Sequence, residues 1–123
     1  MTEVYTGGHW YLKDQNDNYL NGWQKLSGNR LVYYDLKNNQ MLYGEQQINN
    51  NWFYFRTDDG DVVKGWYKLP DGRQVYYDVN PNGGGNGMLH GVATVKDAVY
   101  YFNQWTGCLL YTSDAADDTP CVD

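Results

Sequence analysis

The fold is decided by the stretch GWQKLSGNRLVYYD, residues 22–35, which returns 43 residues later as GWYKLPDGRQVYYD, residues 65–78. The two copies agree at nine of their fourteen positions. An internal period of this length is typical of repeat proteins, in which each unit packs on its neighbours along one direction. The sequence therefore predicts a stacked architecture that presents its surface features in series.

Glycines divide this period into halves. Gly22, Gly44, Gly65 and Gly91 follow one another at intervals of 22, 21 and 26 residues, and the last interval is lengthened by a glycine-rich turn. A tract of aromatic and β-branched residues recurs in the same phase, at residues 10–12, 31–34, 52–55, 74–77 and 99–102. We therefore predict five units in a repeat domain of residues 1–107, with unit boundaries near 22, 44, 65 and 91 and a truncated fifth unit.

Each unit is predicted to be a β-hairpin. Aromatic and β-branched residues favour strands, and turn-forming residues follow the tracts at residues 37–40 and 57–60. A short return strand after the turn would complete each hairpin, and Asp58 and Asp59 would lie in a solvated turn. No window keeps the apolar spacing of an amphipathic helix. The predicted fold class is therefore all-β, with about five stacked β-hairpin repeats.

The end of the chain differs from the repeats. Residues 108–118, CLLYTSDAADD, resemble the translation of a transposase-type sequencing adapter. The match begins where the fifth unit should continue, so we predict that residues 108–123 are a non-native tail that packs poorly on the repeats. Both cysteines, Cys108 and Cys121, lie in this tail. The repeats alone therefore offer no cysteine for a disulfide framework or a metal site.

Composition excludes several classes of function. All 9 basic residues but only 11 of the 15 acidic residues precede Cys108, so the repeats are nearly neutral. The basic residues are scattered, which argues against a nucleic-acid partner. No apolar run is long enough for membrane insertion, and the N-terminus lacks the pattern of a signal peptide. His9 and His90 have no second ligand at metal-binding spacing, so we predict no catalytic residue, no metal and no cofactor.

The glycine–tryptophan pairs, the aromatic tracts and the methionines before the closing glycines together resemble the cell-wall-binding repeat family. This family comprises the glucan-binding and choline-binding repeats of Gram-positive surface proteins and cell-wall hydrolases. The resemblance covers residues 7–107. It implies hairpins stacked into a solenoid or superhelix, with ligands held between consecutive hairpins in cages of aromatic side chains. It also implies a secreted or cell-surface location.

The resemblance implies a ligand-binding role for the aromatic and methionine residues that match the family motif. They are Trp10, Trp23, Tyr33, Met41, Trp52, Tyr54, Trp66, Tyr76, Met88 and Tyr101. An aromatic face can cover the C–H face of a pyranose or attract a quaternary ammonium. Leu31, Gln74 and Val99 stand where the family has tryptophan, which leaves the usual choline cage incomplete and favours carbohydrate. Alternate residues of a strand face opposite sides, so about half of these aromatics would serve the core.

We therefore predict a non-catalytic module that targets a surface protein or hydrolase to a repeating wall polymer, either a glucan or a choline-bearing teichoic acid. One alternative is the anchor fragment of a peptidoglycan hydrolase or of a glucansucrase-type enzyme. Another is a structural spacer whose aromatics are all core. The neighbouring domain would separate the first two hypotheses, and binding to purified wall fractions would test the third.

Overall fold

The computed structural model describes residues 1–112, and within this range the backbone forms twelve β-strands and one short 3₁₀ turn at Ser27–Asn29. The predicted all-β fold of stacked antiparallel hairpins is confirmed. In residues 1–112 we find no helix that is long and apolar enough to span a membrane. Contacts divide the chain into two compact units. Unit 1 comprises Met1–Val63 with Asn80–Gly84, and unit 2 comprises Lys64–Val79 with the described residues from Gly85 onward.

Unit 1 contains three antiparallel hairpins, each built from two five-residue strands. Hairpin 1 pairs β1 (Thr2–Thr6) with β2 (His9–Lys13), hairpin 2 pairs β3 (Gly22–Leu26) with β4 (Arg30–Tyr34), and hairpin 3 pairs β5 (Gly44–Ile48) with β6 (Asn51–Phe55). The second strand of each hairpin is one of the aromatic tracts. It supplies most of the buried side chains.

Unit 2 contains two three-stranded antiparallel sheets. Hairpin 4 pairs β7 (Gly65–Lys68) with β8 (Gln74–Asp78) and adds β9 (Gly87–Met88), and hairpin 5 pairs β10 (Gly91–Val95) with β11 (Ala98–Phe102) and adds β12 (Leu109–Thr112). The aromatic tract is again the second strand. In this unit it is the central strand of its sheet.

Two-residue turns close hairpins 1, 3 and 5. Both turn residues have positive φ in each case: Gly7 and Gly8 at 60° and 83°, Asn49 and Asn50 at 52° and 69°, and Lys96 and Asp97 at 49° and 70°. Two successive positive φ angles define a type I′ turn, whose twist matches that of the strands it joins. These short turns fix the register of the hairpins.

The strand that pairs with each aromatic tract differs from the sequence prediction. We expected the main partner to be a return strand after the tract, but it is the strand before the tract. That preceding strand begins at a glycine that had been assigned to a unit boundary, namely Gly22, Gly44, Gly65 or Gly91. In unit 1 the return segment makes only isolated bridges, such as the one between Tyr34 and Met41. The predicted return strand is present in unit 2, as β9 and β12. The prediction missed the strand before the tract, because turns of only two residues, such as Asn49-Asn50, were not recognised.

Backbone hydrogen bonds connect successive hairpins of unit 1. The Met41 N–H donates to the Trp10 carbonyl at 3.0 Å, and the Val62 N–H donates to the Leu31 carbonyl at 2.8 Å. The Leu31 N–H in turn donates to Asp61 Oδ1 at 2.9 Å. The segment that follows each of these hairpins therefore contacts the aromatic strand of the hairpin before it. This contact brings side chains from consecutive repeats together.

A buried cluster lies beneath hairpins 1 and 2. It consists of Leu12, Val32, Tyr34 and Met41, with Leu20, Leu26 and Tyr43 packed against it. The Tyr34 side chain is fully buried, and its hydroxyl has no hydrogen-bond partner among residues 1–112. Burial raises the pKa of this hydroxyl to about 12, because the phenolate would lose its hydration. Tyr34 therefore contributes ring packing to the core and no polar contact.

The first residues after Gly107 form part of unit 2. Leu109 is buried, and strand β12 pairs with β11. The Tyr111 ring stacks on Tyr101 with a centroid separation of 4.4 Å and an interplanar angle of 22°. The prediction of poor packing after Gly107 is therefore wrong for residues 108–112.

The repeat pattern explains this packing. Leu109 pairs with Phe102 as Met88 pairs with Tyr77, so Leu109 occupies the methionine position of the fifth repeat. That position requires an apolar side chain on a segment that can pair with the free edge of the aromatic strand. Leu109 meets both requirements. Residues 113–123 lie outside the described residues. The non-native origin of residues 108–123 stays a prediction.

Candidate functional site

A cavity of about 220 Å³, which we call the Trp10 cavity, lies where the three repeats of unit 1 meet. Trp10 of β2 forms one wall and is 38% exposed. Met41 and Tyr43, from the segment after hairpin 2, form a second wall. The turn after β6 adds Asp58 and Asp59. The cavity thus combines an indole, a phenol ring, a thioether and carboxylates.

Local structure holds these walls in place. Tyr5 lies opposite Trp10 in hairpin 1, and their ring centroids are 5.1 Å apart. The hydrogen bond from the Met41 N–H to the Trp10 carbonyl fixes the two walls relative to each other. Met41 lies directly against Gly60, where an added Cβ would come within 2.5 Å of the Met41 sulfur. Gly60 also has a φ of +77°, so glycine is needed here both for space and for backbone conformation.

The charges around the cavity are unbalanced. Arg30 Nη2 donates to Glu3 Oε2 at 2.7 Å, and its Nη1 donates to the Asp59 carbonyl at 3.1 Å. The hydrogen bond to Glu3 raises the pKa of Arg30, although burial acts in the opposite direction. Arg30 and Glu3 therefore neutralise each other. Asp58 and Asp59 remain, which leaves a formal charge of −2 on the cavity lining.

The tyrosine in this cavity presents a neutral ring. Burial raises the pKa of Tyr43, with smaller contributions from nearby groups such as Tyr5 and Glu3. A neutral aromatic ring offers an electron-rich face, and such faces attract cations that carry no N–H donor. The polarizable sulfur of Met41 can pack against methyl groups. The arrangement is therefore suited to a quaternary ammonium.

Only two of the ten predicted ligand-binding residues, Trp10 and Met41, line this cavity. Trp23 instead packs inside unit 1. Its ring lies edge-on to Tyr33 at 5.2 Å and to Phe53 at 5.1 Å, and it is tilted against Phe55 at 5.6 Å. A Cβ added to Gly83 would overlap the Trp23 ring. The structure therefore gives Trp23 a packing role, and its role in ligand binding stays a prediction.

Trp66 has equivalent surroundings in unit 2. Its ring lies edge-on to Tyr76 at 5.1 Å and to Tyr100 at 4.9 Å, and it is tilted against Phe102 at 5.9 Å. It is nevertheless 39% exposed. Part of the ring is thus available to a ligand while the rest joins two hairpins.

The other predicted residues are divided between core and surface. Tyr33, Tyr54 and Met88 are buried, whereas Trp52 is 36% exposed on β6. Tyr76 and Tyr101 are half-buried. Binding roles for these residues stay predictions.

Sequence reasoning missed most of the cavity lining. It did not select Glu3, Arg30 or Tyr43, and it assigned Asp58 and Asp59 to a solvated turn. Tyr43 could have been found, because it lies two residues after Met41 and therefore on the same side of an extended segment. The two aspartates come from a later repeat, and no local sequence pattern indicates that their turn lies at this cavity.

No family model matches the sequence, and no curated protein matches it. Several solved structures are nevertheless similar. Choline-binding protein F from Streptococcus pneumoniae gives a TM-score of 0.72 at 30% identity, over 87% of this chain and 33% of that protein. CbpJ from the same species gives 0.71 at 29% identity, over 87% and 34%. The chain thus spans about a third of the length of these relatives.

A more distant similarity concerns a multimodular cell-wall endolysin of the pneumococcal phage Cp-1, which was solved with choline. It gives a TM-score of 0.58 at 24% identity, over 88% of this chain and 30% of the endolysin. At that identity the likeness shows the fold alone. The similarity to choline-binding protein F and CbpJ confirms the resemblance of this chain to the cell-wall-binding repeat family.

Proposed function

We propose that this chain is a non-catalytic binding module for a cell-wall polymer, and that the Trp10 cavity holds a quaternary ammonium group such as the choline of a teichoic acid. The observation that carries the proposal is the combination of aromatic faces with a net negative lining in one cavity. The similarity to choline-binding protein F, named for the ligand it binds, supports it.

The charge of the cavity favours a cation over a sugar. Each cation–π contact contributes about 0.5 to 2 kcal/mol, and the carboxylates of Asp58 and Asp59 add attraction that a neutral ligand does not feel. The sequence argument had favoured carbohydrate because Leu31, Gln74 and Val99 replace tryptophan. None of those three residues lines this cavity, so the argument does not apply here.

The proposed site is weak by itself, and the module would act at the cell surface through repetition. A wall polymer repeats its substituent many times, and linked weak sites gain avidity of about 10² to 10⁴ over a single site. A hydrolase, a glucansucrase-type enzyme or an adhesive surface protein could each use such a module as an anchor. The exposed indole of Trp10 beside the carboxylates of Asp58 and Asp59 favours a binding role over that of a structural spacer.

Titration with choline tests the aromatic part of the site. Trp10→Ala should weaken choline binding about 2- to 30-fold, the equivalent of one cation–π contact of about 0.5 to 2 kcal/mol. Calorimetry on the full chain measures this directly. Trp105→Ala is the matched control, because Trp105 is an 83% exposed tryptophan that does not line the cavity. Unchanged choline affinity in Trp10→Ala would contradict the proposal.

A second titration tests the charge. The double variant Asp58→Asn, Asp59→Asn should bind choline several-fold more weakly than the parent chain. The neutral carbon isostere of choline should bind the parent chain weakly and should not respond to these changes. Asp97→Asn, in a type I′ turn that asparagine also adopts, controls for the loss of a carboxylate elsewhere. Equal affinity for choline and its neutral isostere would show that the cavity does not select a cation.

A further inference from the structure

The turn after β8 is longer than its counterparts in the other hairpins. In hairpins 2, 3 and 5, six residues separate the buried end of the aromatic strand from the residue that pairs with it, namely residues 35–40, 56–61 and 103–108. In hairpin 4 the same interval holds ten residues, 78–87. Asn80–Gly84 of this longer turn, which we call the strap, belong to unit 1.

The strap lies on the ring of Trp23. A Cβ added to Gly83 would overlap Trp23 Cγ and would lie only 2.6 Å from Trp23 Cδ2, so the Gly83 backbone packs directly on the indole. A Cβ added to Gly84 would meet no atom within 4 Å. The contact with the ring therefore leaves room for glycine alone at position 83, whereas position 84 has space for a side chain.

Trp66 is the counterpart of Trp23 in unit 2 and provides an internal comparison. Three aromatic rings surround each tryptophan at equivalent positions: Tyr33, Phe53 and Phe55 around Trp23, and Tyr76, Tyr100 and Phe102 around Trp66. Trp66 is nevertheless 39% exposed, whereas Trp23 is half-buried. Because the surrounding rings correspond, we attribute the lower exposure of Trp23 to the strap.

The hydrogen bonds of the strap are internal. The Asn80 N–H donates to the Gly84 carbonyl at 3.0 Å, and the Gly83 N–H donates to the Asn80 carbonyl at 3.0 Å. Among residues 1–112, no backbone hydrogen bond joins the strap to hairpin 2. The strap can therefore leave the Trp23 ring without breaking a backbone hydrogen bond of that hairpin.

The composition of this turn makes the closed position costly. Gly83, Gly84 and Gly85 all have positive φ, at 104°, 80° and 105°. Glycine loses more conformational freedom than any other residue when its backbone is ordered. Segments with few buried apolar contacts and no hydrogen bonds to the core open at a lower free energy than the core itself. The strap has both properties.

From this geometry we infer that the strap is a displaceable cover on the Trp23 ring. In the closed state Gly83 packs on the indole and keeps solutes from that face. In the open state the strap leaves the ring while hairpin 2 stays folded, and Trp23 becomes as accessible as Trp66. The strap thus controls access to one of two equivalent tryptophans. The inference does not depend on the proposed function, on the Trp10 cavity or on any ligand.

Native-state hydrogen exchange of the full chain tests whether the strap opens locally. The Asn80 amide reports on the strap, and the Leu42 amide, whose N–H donates to the Tyr33 carbonyl at 2.9 Å, reports on hairpin 2. We expect the protection factor of the Asn80 amide to be at least about tenfold lower than that of the Leu42 amide. Equal protection would mean that the strap opens only when hairpin 2 unfolds, which would overturn the inference.

A soluble nitroxide measures access to the rings, because it broadens the NMR signals of exposed protons. In the parent chain the ring signals of Trp66 should broaden more than those of Trp23. A variant without residues 82–85 has a turn of six residues, the length found in hairpins 2, 3 and 5. In this shortened variant the two tryptophans should broaden equally. If Trp23 stays as protected as in the parent chain, the strap is not its cover and the inference is overturned.

Two glycine variants serve as a second test if the shortened chain does not fold. Gly83→Ala and Gly84→Ala place the same side chain on neighbouring positions with positive φ, but only the first overlaps the Trp23 ring. The rings of Tyr33, Phe53 and Phe55 confine Trp23 from other sides. The overlap in Gly83→Ala is therefore relieved by movement of the strap.

The expected readouts separate strap opening from loss of the hairpin. Gly83→Ala should lower the protection factor of the Asn80 amide at least about fivefold more than Gly84→Ala does. It should also expose Trp23 to the nitroxide and leave the Leu42 amide protected. Equal effects of the two variants would overturn the inference. An equal fall in the protection of Asn80 and Leu42 in Gly83→Ala would also overturn it, because the strap would then be an inseparable part of the core.

Discussion

Replacing Trp23 by alanine should destabilise unit 1 rather than empty a ligand site. The Trp23 ring contacts Tyr33, Phe53 and Phe55 at centroid distances of 5.1 to 5.6 Å. Aromatic pairs contribute about 0.5 to 1.5 kcal/mol each, so three pairs give about 1.5 to 4.5 kcal/mol. Tryptophan-to-alanine changes in cores cost about 3 to 5 kcal/mol. Since small domains have about 5 to 15 kcal/mol of stability, the expected loss is a large fraction of the total.

Urea unfolding followed by far-ultraviolet circular dichroism measures this loss without relying on tryptophan fluorescence. Trp10→Ala is the informative comparison. Within residues 1–112 Trp10 has one ring contact, with Tyr5 at 5.1 Å, and it is 38% exposed. Its removal should therefore cost only about 0.5 to 1.5 kcal/mol of stability. The two variants should separate cleanly, because one loses stability and the other loses choline affinity.

The opposite result would refute this reasoning. If Trp23→Ala kept its stability to within about 1 kcal/mol but lost choline binding, then the tryptophan after the glycine would be a ligand contact, as the sequence predicted. If Trp10→Ala were as unstable as Trp23→Ala, the Trp10 cavity would be a packing feature. Either result would contradict the assignment of the choline site to the Trp10 cavity.

Three further predictions concern the fold. Gly83→Ala should destabilise the chain by at least about 1 kcal/mol more than Gly84→Ala in urea unfolding, because both glycines have positive φ but only an added Cβ at Gly83 overlaps the Trp23 ring. Tyr34→Phe should be neutral or stabilising at pH 7, since it removes a buried hydroxyl without a partner. The pKa of Tyr34 is raised to about 12, so the parent chain should lose about 2 to 3 kcal/mol as pH rises from about 10 to about 12, and Tyr34→Phe should lack this part of the decline. Truncation after Gly107 should lower the melting temperature relative to truncation after Thr112, because only the first removes β12.

The fold class could be predicted because the aromatic tracts carry their own signal. Phe53 and Phe55 are buried on a strand rich in aromatic residues, and the sequence identifies that strand without help. Its partner, Gly44–Ile48, reads GEQQI and has no strand signal of its own. It becomes a strand because the two-residue turn at Asn49 and Asn50 folds it onto the aromatic tract. Pairing, rather than propensity, determines this strand of hairpin 3.

The candidate site was predictable to a similar extent. Trp10 and Met41 follow from the repeat motif, because they occupy fixed positions in their units. Asp58 and Asp59 do not, because they reach the cavity from a turn in another repeat. A turn rich in aspartate is usually solvated, and only the stacking of the repeats shows which turns lie near a neighbouring ring. The carboxylates to which we attribute cation selection were therefore the part of the proposed site that sequence alone could not supply.

The 43-residue period reflects an alternation in the position of the tryptophan. One part of the core has the shorter period of a single hairpin, because the buried strand end recurs in consecutive hairpins as Tyr34 and Phe55. Other features recur only in every second hairpin. In hairpins 1 and 3 the second residue of the first strand is a glutamate and the aromatic tract begins with a tryptophan, as in Glu3 with Trp10 and Glu45 with Trp52. In hairpins 2 and 4 that second residue is Trp23 or Trp66, and the tract begins with Leu31 or Gln74.

This alternation has a structural consequence in unit 1. Where the tract begins with Trp10, the ring is exposed and lines a negative cavity with Glu3. Where it begins with Leu31, the tryptophan has moved to position 23, where its ring fills the aromatic core. A tryptophan whose ring is packed in the core is not available to contact a cation. Exposed and packed tryptophans therefore alternate between consecutive hairpins of unit 1, and two hairpins correspond to the 43-residue sequence repeat.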